Sequence, residues 1–475
     1  MDSRQKLLLS PLDQHAPKVY TRMALVFPVT DYEQAITTLQ TALRKTCEQL
    51  PYLKGTVVEG GLSHRKQSYI IVDPSNAAPQ FIEQPAPNGL PTYAQLKTNR
   101  TPFPPETFPS PMIPGGPADA EVPVLGASYT KIEGGLVMCI ATYHKVVDGG
   151  GYSEILRLLA AHSRSNAAEP IEHGTGPDPE EISSRRQRIL KGKVDVSDEL
   201  KKLDFEAMLA RHPEYMLKTK MSSNAPDTST KTDAGFVFSG KNTNQVFAFS
   251  GQKIEAVRAA LSDKLPSSYL TVNNILTAII WPSITHIRAT RPKGALSVAS
   301  SKMDFSVSGR RLVGDSLQEP PFTGNVIGYA QTELGVSKLS FQPSLDAAEK
   351  LLPVINLIAG ASENLNASTI ESLVHLSDQN PDLSNITMSW LLNGPGDMHF
   401  ISWAQQACFE LDFGETLGHP GYMRSAFIKL DGVVTFLPRR RTEGCVDDMD
   451  VSVLLREDDM ERLNKDPVWN SWLID

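Results

Sequence analysis

Apolar residues recur at Ile36, Leu39, Leu43 and Leu50 with polar positions between them, and this spacing predicts a helix near 31–49 with one inward face. Short β-rich stretches flank it at 18–29 and 55–73. Another β-rich span covers 125–143 and ends in the apolar run 136–143, which reads as a strand. A helical pattern follows at 152–163. The second half restarts with a strand at 245–249, after which Ser250 offers an N-cap for a helix reaching Leu261. The stretch 271–287 is apolar enough for a core helix. Strands near 296–303, 326–333, 399–404 and 433–438 alternate with helices near 343–360 and 458–464. Alternation in both halves predicts an α/β fold class, and no internal repeat is visible.

Two stretches break the pattern. Residues 101–124 hold eight prolines, a density that no regular element survives. They read either as a passive extended loop or as a border of a substrate channel. Residues 164–235 are charged and rich in Ser, Thr and Pro, with some helical pattern near 181–216. They read as a crossover whose most flexible part is 221–234. A chain of 475 residues is long enough for two cores, so the expected division is 1–205, a linker at 206–235, and 236–475.

Composition removes several classes of function. A net charge of −8, without a basic stripe interleaved with aromatics, argues against a nucleic-acid partner. Cys47, Cys139, Cys408 and Cys445 are scattered, and neither they nor the histidines have metal-ligand spacing, so no metal is expected. Leu7 to Leu9 are followed by Pro11 and Asp13, which interrupts any signal-peptide core, and no apolar run approaches the ~20 residues of a membrane span. A cytoplasmic monomer working on small molecules is the expected setting. No Gly-x-Ser-x-Gly elbow, Walker loop or strand-linked Gly-x-Gly-x-x-Gly is present. Asp412-Phe413-Gly414 lacks the Gly-rich loop, strand lysine and His-Arg-Asp loop that a kinase requires.

Candidate chemistry gathers where the apolar run ends. His144-Lys145-Val146-Val147-Asp148-Gly149 follows it, and then come Gly150 and Gly151. Random placement of His-x-x-x-acid-Gly in this composition gives about 0.08 matches, which directs attention to the motif. A strand here delivers an imidazole to a glycine-rich turn, where it can take a proton from an alcohol or an amine. Asp148 can hold the turn. The competing reading is a histidine satisfied in a core turn.

Other segments fit the same scheme in order. They are Leu9-Ser10-Pro11-Leu12-Asp13; Leu39, Leu43, Leu50, Pro51, Leu53, Gly55 and Thr56; Gly134-Gly135; Asn274 to Ala278 with Trp281; Phe322-Thr323-Gly324-Asn325; Ser402-Trp403; Asp412-Phe413-Gly414; and Gly432 to Pro438. Together with His144-x-x-x-Asp148-Gly149 they resemble the BAHD acyltransferases and their fungal relatives of the trichothecene 3-O-acetyltransferase type, over residues 9 to about 455. Glu415-Thr416 follow Asp412-Phe413-Gly414 where the plant members have Trp-Gly, which points away from the plant form. Tyr143 stands where condensation domains of peptide synthetases carry a second histidine.

The resemblance implies two chloramphenicol-acetyltransferase-like domains, mixed sheets flanked by helices, with the site at their interface. It implies acyl transfer from acyl-CoA, acetyl by default, to a hydroxyl of a small secondary metabolite. His144 would be the general base and Asp148 a positioning group. Asp412 is read with the catalytic residues but mainly structural, pairing with an arginine, Arg310 or Arg311. Trp403 and Gly149 would line the substrate, and the Trp403 indole N–H could meet the oxyanion. Arg258 and Lys264 could meet the CoA phosphates or be ordinary surface charges. Arg439-Arg440-Arg441 reads as a solvated turn. No cysteine lies beside His144, so direct attack without a covalent acyl-enzyme is expected. The alternatives are N-acylation, a condensation-type amide-forming enzyme, and a catalytically silent binding protein on the same fold.

Overall fold

Gly135–Tyr143 forms a strand in which every residue is buried. It runs antiparallel to Tyr20–Phe27 on one side and to Leu125–Ile132 on the other. A strand paired on both edges and covered on both faces needs the near-continuous apolar run seen here. The computed structural model describes residues 4–86, 89–99, 121–164, 198–218, 230–231, 237–238, 241–313, 322–389, 396–425, 430–441 and 446–474.

The sheet around this strand has five strands, in the order Tyr422–Ser425, Tyr20–Phe27, Gly135–Tyr143, Leu125–Ile132, Phe81–Glu83. Its first member comes from the far end of the chain and pairs antiparallel with Tyr20–Phe27. The helix Tyr32–Gln49 starts at Asp31, whose side chain accepts from the Gln34 amide. It turns Ala35, Leu39, Ala42 and Leu43 inward beside the helix Gly149–Ser163. A smaller sheet orders Gln5–Leu8, Gln67–Val72, Thr56–Leu62 and Glu121–Pro123. Glu121–Pro123 corrects the expectation for 101–124: its end is an edge strand, where a proline costs no ladder bond. The rest of that stretch, to residue 120, lies outside the described residues.

The later half carries a six-stranded mixed sheet. Its order is Asn242–Phe249, Met449–Arg456, Val433–Phe436, Met398–Ser402, Ser300–Ser308, Ile327–Gly335. Met398–Ser402 lies parallel to both neighbours, and the remaining pairings are antiparallel. Ser250 caps Gly251–Leu261 and Thr271 caps Val272–Ala289. The latter is buried almost throughout, and its Trp281 donates to Ser301 Oγ at 2.8 Å.

Two cores follow the two large sheets. The first also takes in Trp403, Phe413, Leu417 and Met423, so the segment from 403 to 425 belongs to the earlier sheet in space. A third apolar cluster draws on both halves, with Leu12 from the N-terminal helix, Tyr215, and Phe322, Val326, Tyr329 and Met388. Within the expected linker, Phe205–Ala210 is helical and Tyr215–Leu217 pairs with Ile386–Met388. Most of 221–234 lies outside the described residues. None of the described helices is long and apolar enough to cross a membrane.

Candidate active site

The strand Gly135–Tyr143 ends in a turn closed by the Val146 and Val147 amides, both donating to the Tyr143 carbonyl at 2.9 and 3.2 Å. His144 is thereby placed at the strand tip, and its own amide donates to Val19 O at 2.8 Å. Its carbonyl accepts from Asn325 Nδ2 at 2.9 Å. The same Nδ2 and the Asn325 amide donate to Asp13 Oδ1, at 2.9 and 2.8 Å. Asp13 is held in turn by a reciprocal capping box with Ser10. The His144 backbone is therefore gripped from the N-terminal helix and from the 322–326 loop together. The ring is half-buried, with Nδ1 enclosed. Burial holds the imidazole pKa below 6.5, against the opposing pull of Asp148 and Asp13. A neutral imidazole is the form a general base requires.

Asp148 does not face the histidine ring as a relay. It is the N-cap of Gly149–Ser163, and its Oδ1 accepts from the Gly151 amide at 2.9 Å. Arg310 clasps it in a bidentate pair, Nη1 to Oδ2 at 2.9 Å and Nη2 to Oδ1 at 2.7 Å. The Val326 amide adds a bond to Oδ2 at 3.0 Å. Burial pushes this carboxyl up, but the Arg310 guanidinium and the two amides outweigh it and hold the pKa below the ordinary 3.8. Arg310 also donates to the carbonyls of Phe322 and Gly324, so one side chain binds the histidine turn to the 322–326 loop.

The glycines form the first turn of a helix pressed against the other half. A Cβ on Gly150 would lie 2.6 Å from Arg310 Nη1, and one on Gly151 would lie 2.0 Å from the Thr323 carbonyl oxygen. Only hydrogen fits there. Gly149 has ordinary clearance, 3.5 Å from its Cβ position to Trp403 Cζ2. Trp403 packs edge-on against Tyr152, with ring centroids 5.7 Å apart, and its amide donates to Phe436 O at 2.8 Å. Trp403 thus sits on the same helix start as Asp148.

One expectation needs correction. Asp412 makes no pair with Arg310, which is committed to Asp148, or with Arg311, which is exposed. Its half-buried carboxylate accepts from the Gly414 amide at 2.8 Å, closing a local turn in which Gly414 has φ +86°. Its carbonyl accepts from Arg164 Nη1 at 3.2 Å. In the arginine run Arg440 and Arg441 are exposed, as expected of a solvated turn, and Arg439 is half-buried. Arg439 and Arg440 donate to Ala404 O and Gly421 O, at 3.3 and 2.7 Å, and Arg440 lies over the Phe409 ring. Arg258 and Lys264 already have acidic partners, Glu255 and Glu349, and Arg258 also donates to Leu270 O at 2.9 Å. The structure brings His144, Asp148, Gly149 and Trp403 together and leaves Asp412 in its own turn. Arg310 and Asn325 carry much of the site's geometry. Their segments are visible in the sequence, but their partners are not.

Cys139, on the histidine strand, is fully buried and its thiol is pushed up to about 12 by burial. Its strand neighbours Met138 and Ile140 face the main core. It has no thiolate to offer near neutral pH. Among the described residues no group of three or more His, Cys, Asp or Glu is placed to hold a metal ion.

A model of the Transferase family matches residues 2–468. The chain is 25% identical to trichothecene 8-O-acetyltransferase of Fusarium sporotrichioides, over 98% of this chain and 97% of that protein. It is also 25% identical to trichothecene 3-O-acetyltransferase TRI101 of the same organism, over 96% of this chain and 93% of the relative. Among solved structures, F. graminearum TRI101 complexed with ethyl coenzyme A aligns with a TM-score of 0.72 at 21% identity, covering 99% of each chain. That likeness establishes the expected two-domain fold of mixed sheets flanked by helices.

Proposed function

The chain belongs to the Transferase family, and from that premise we propose that it transfers an acyl group, acetyl by default, from acyl-CoA to a hydroxyl of a small secondary metabolite. The observation that carries this reading is the His144 turn. A neutral imidazole stands at a strand tip whose carbonyl is fixed by Asn325 and whose following residues are locked by the Asp148–Arg310 pair. That is the rigidity a positioned base needs. The relatives point the same way, being named O-acetyltransferases of trichothecenes.

In the proposed reaction His144 takes the proton of the acceptor hydroxyl as its oxygen attacks the thioester carbonyl. The tetrahedral oxyanion collapses, the carbon–sulfur bond breaks, and the His144 imidazolium returns the proton to the CoA thiolate. The Trp403 indole N–H is the proposed oxyanion donor. For the CoA phosphates the proposal keeps Arg258 and Lys264, which would exchange Glu255 and Glu349 for them. Asp148 acts by holding the turn, and Asp412 by holding its own loop. A cytoplasmic monomer is the proposed setting, in keeping with free, buried Cys47, Cys139 and Cys408.

Thiol release from acetyl-CoA with a panel of alcohols and amines tests the reading. Initial rates with both substrates varied should give intersecting lines, the pattern of a ternary complex. Parallel lines together with an acetylated protein seen by intact mass would refute direct attack. Turnover with amines alone would move the assignment to N-acylation, and turnover only with carrier-bound acyl groups would move it to condensation chemistry.

The pH profile is a second check. The base works deprotonated, and its pKa lies below 6.5. The rate should therefore be level around neutrality and fall only on the acid side of 6.5, as the ring takes up a proton. A rising limb centred above that value would contradict a burial-depressed His144.

A further inference from the structure

We propose that Glu59 is the positioning carboxylate for His144, acting through the residues on either side of the histidine, Tyr143 and Lys145, and not on its ring. The inference rests on the acyl-transfer reading above and adds a residue to its base.

The orienting bond that a carboxylate makes to Nδ1 in a Ser-His-Asp triad has no counterpart here among the described residues. The His144 Nδ1 is enclosed without a partner, and Asp148 is committed to Arg310 and to two backbone amides. The aim of the ring therefore comes from the backbone that carries it. Glu59 holds both flanking side chains. Tyr143 Oη donates to Glu59 Oε1 at 2.9 Å. Lys145 Nζ lies 3.8 Å from Glu59 Oε2 and donates to the Gln14 carbonyl at 2.9 Å. One carboxylate thus ties down the residue before the base and the residue after it.

The tie closes on itself. Ser68 Oγ donates to Glu59 Oε2 at 3.0 Å, and the Ser68 backbone exchanges two bonds of 2.9 Å with the Gln14 side chain, whose carbonyl receives Lys145. The strand Thr56–Leu62 is bent where it supplies the carboxylate. Its register against Gln67–Val72 shifts between Val58 and Leu62, and Gly60 takes φ +62° there. Irregularities of this kind re-aim a side chain. The Glu59 side chain is only 13% exposed, a costly place for a charge without partners. Burial pushes its pKa up, but Lys145, Lys18 at 2.6 Å and the Tyr143 hydroxyl hold it below 4.5, so it is ionised at neutral pH. Burial also lowers the Lys145 ammonium to about 8, and Glu59 is the strongest influence against that fall.

The test uses the full-length protein, acetyl-CoA and the alcohol of the panel above with the highest turnover. Glu59→Gln should lower kcat about 10- to 100-fold, the scale of a catalytic group displaced by up to about 1 Å, with the KM of either substrate changed less than about twofold. Tyr143→Phe removes one bond to the carboxylate and no charge. It should lower kcat about threefold to tenfold in the same pattern, and it carries the test if Glu59→Gln does not fold. The decisive measurement places each substitution in the His144→Ala background. There the residual rate should change less than about twofold, because a residue that acts through His144 has nothing left to position. A general loosening of the fold would lower that residual rate as well. Wild-type kcat in the folded variants, or a fully multiplicative loss in the His144→Ala background, overturns the role of Glu59 and leaves acyl transfer standing. A wild type that acetylates no alcohol of the panel overturns the acyl-transfer reading, and this inference with it.

Discussion

His144→Ala should lower acyl transfer by about 10²- to 10⁴-fold, the usual cost of losing a positioned general base. The fold should be untouched. The side chain is half-buried and its enclosed Nδ1 has no partner among the described residues, whereas the backbone bonds to Val19 and Asn325 do not depend on the side chain. The turn therefore keeps its shape around an alanine. The loss should appear in kcat, because removing the acceptor proton belongs to the chemical step. Progress curves of thiol release and a melting curve suffice. A folded variant with wild-type rate removes His144 from the chemistry, and a collapsed melting temperature contradicts the expectation that the turn keeps its shape.

Arg310→Ala should damage both stability and rate, and it should do more harm to stability than His144→Ala. Its guanidinium and the Asp148 carboxylate keep only 13% and 2% side-chain exposure. Removing one member of such a buried pair strands the other charge and costs about 3–5 kcal/mol. The same substitution releases the carbonyls of Phe322 and Gly324, next to the Asn325 that holds His144. Arg310→Lys should recover little, because an ammonium cannot reproduce the planar fork that reaches both carboxylate oxygens and two carbonyls at once. Asp148→Asn should be milder in stability, since an amide oxygen can still accept from the Gly151 amide. Urea melts of the three variants order these effects. Arg310→Ala with an unchanged melting midpoint would show that the pair contributes nothing to the join between the halves.

What could be read ahead of the structure follows the reach of each signal. Caps and helical faces are local, so Ser250, Thr271 and the 31–49 helix were visible in a few residues. The histidine strand was visible because burial on both faces leaves an uninterrupted apolar run. Partners across the chain were not. Asp148 and Arg310 stand 162 positions apart, and no local spacing distinguishes that pairing from one between Arg310 and Asp412. Asp412 instead satisfies its carboxylate two residues on, a short-range solution that acidic residues before glycine adopt readily. The helix Ala367–Gln379 and the strand Met449–Arg456 went unpredicted too.

The strand Tyr422–Ser425 has a consequence for how this chain can be made. It is among the last elements synthesised, yet it pairs with Tyr20–Phe27, among the first. Until residue 425 has left the ribosome, the earlier sheet presents an open edge of unpaired backbone groups, and its core lacks Trp403, Phe413, Leu417 and Met423. The first half therefore cannot finish as an independent unit during translation, in contrast to the usual order in which an N-terminal domain completes itself early. A chain halted near residue 400 should be captured by chaperones or aggregate through that edge, and the released protein should unfold in one cooperative step, its earlier sheet completed only by a strand from the far end of the chain.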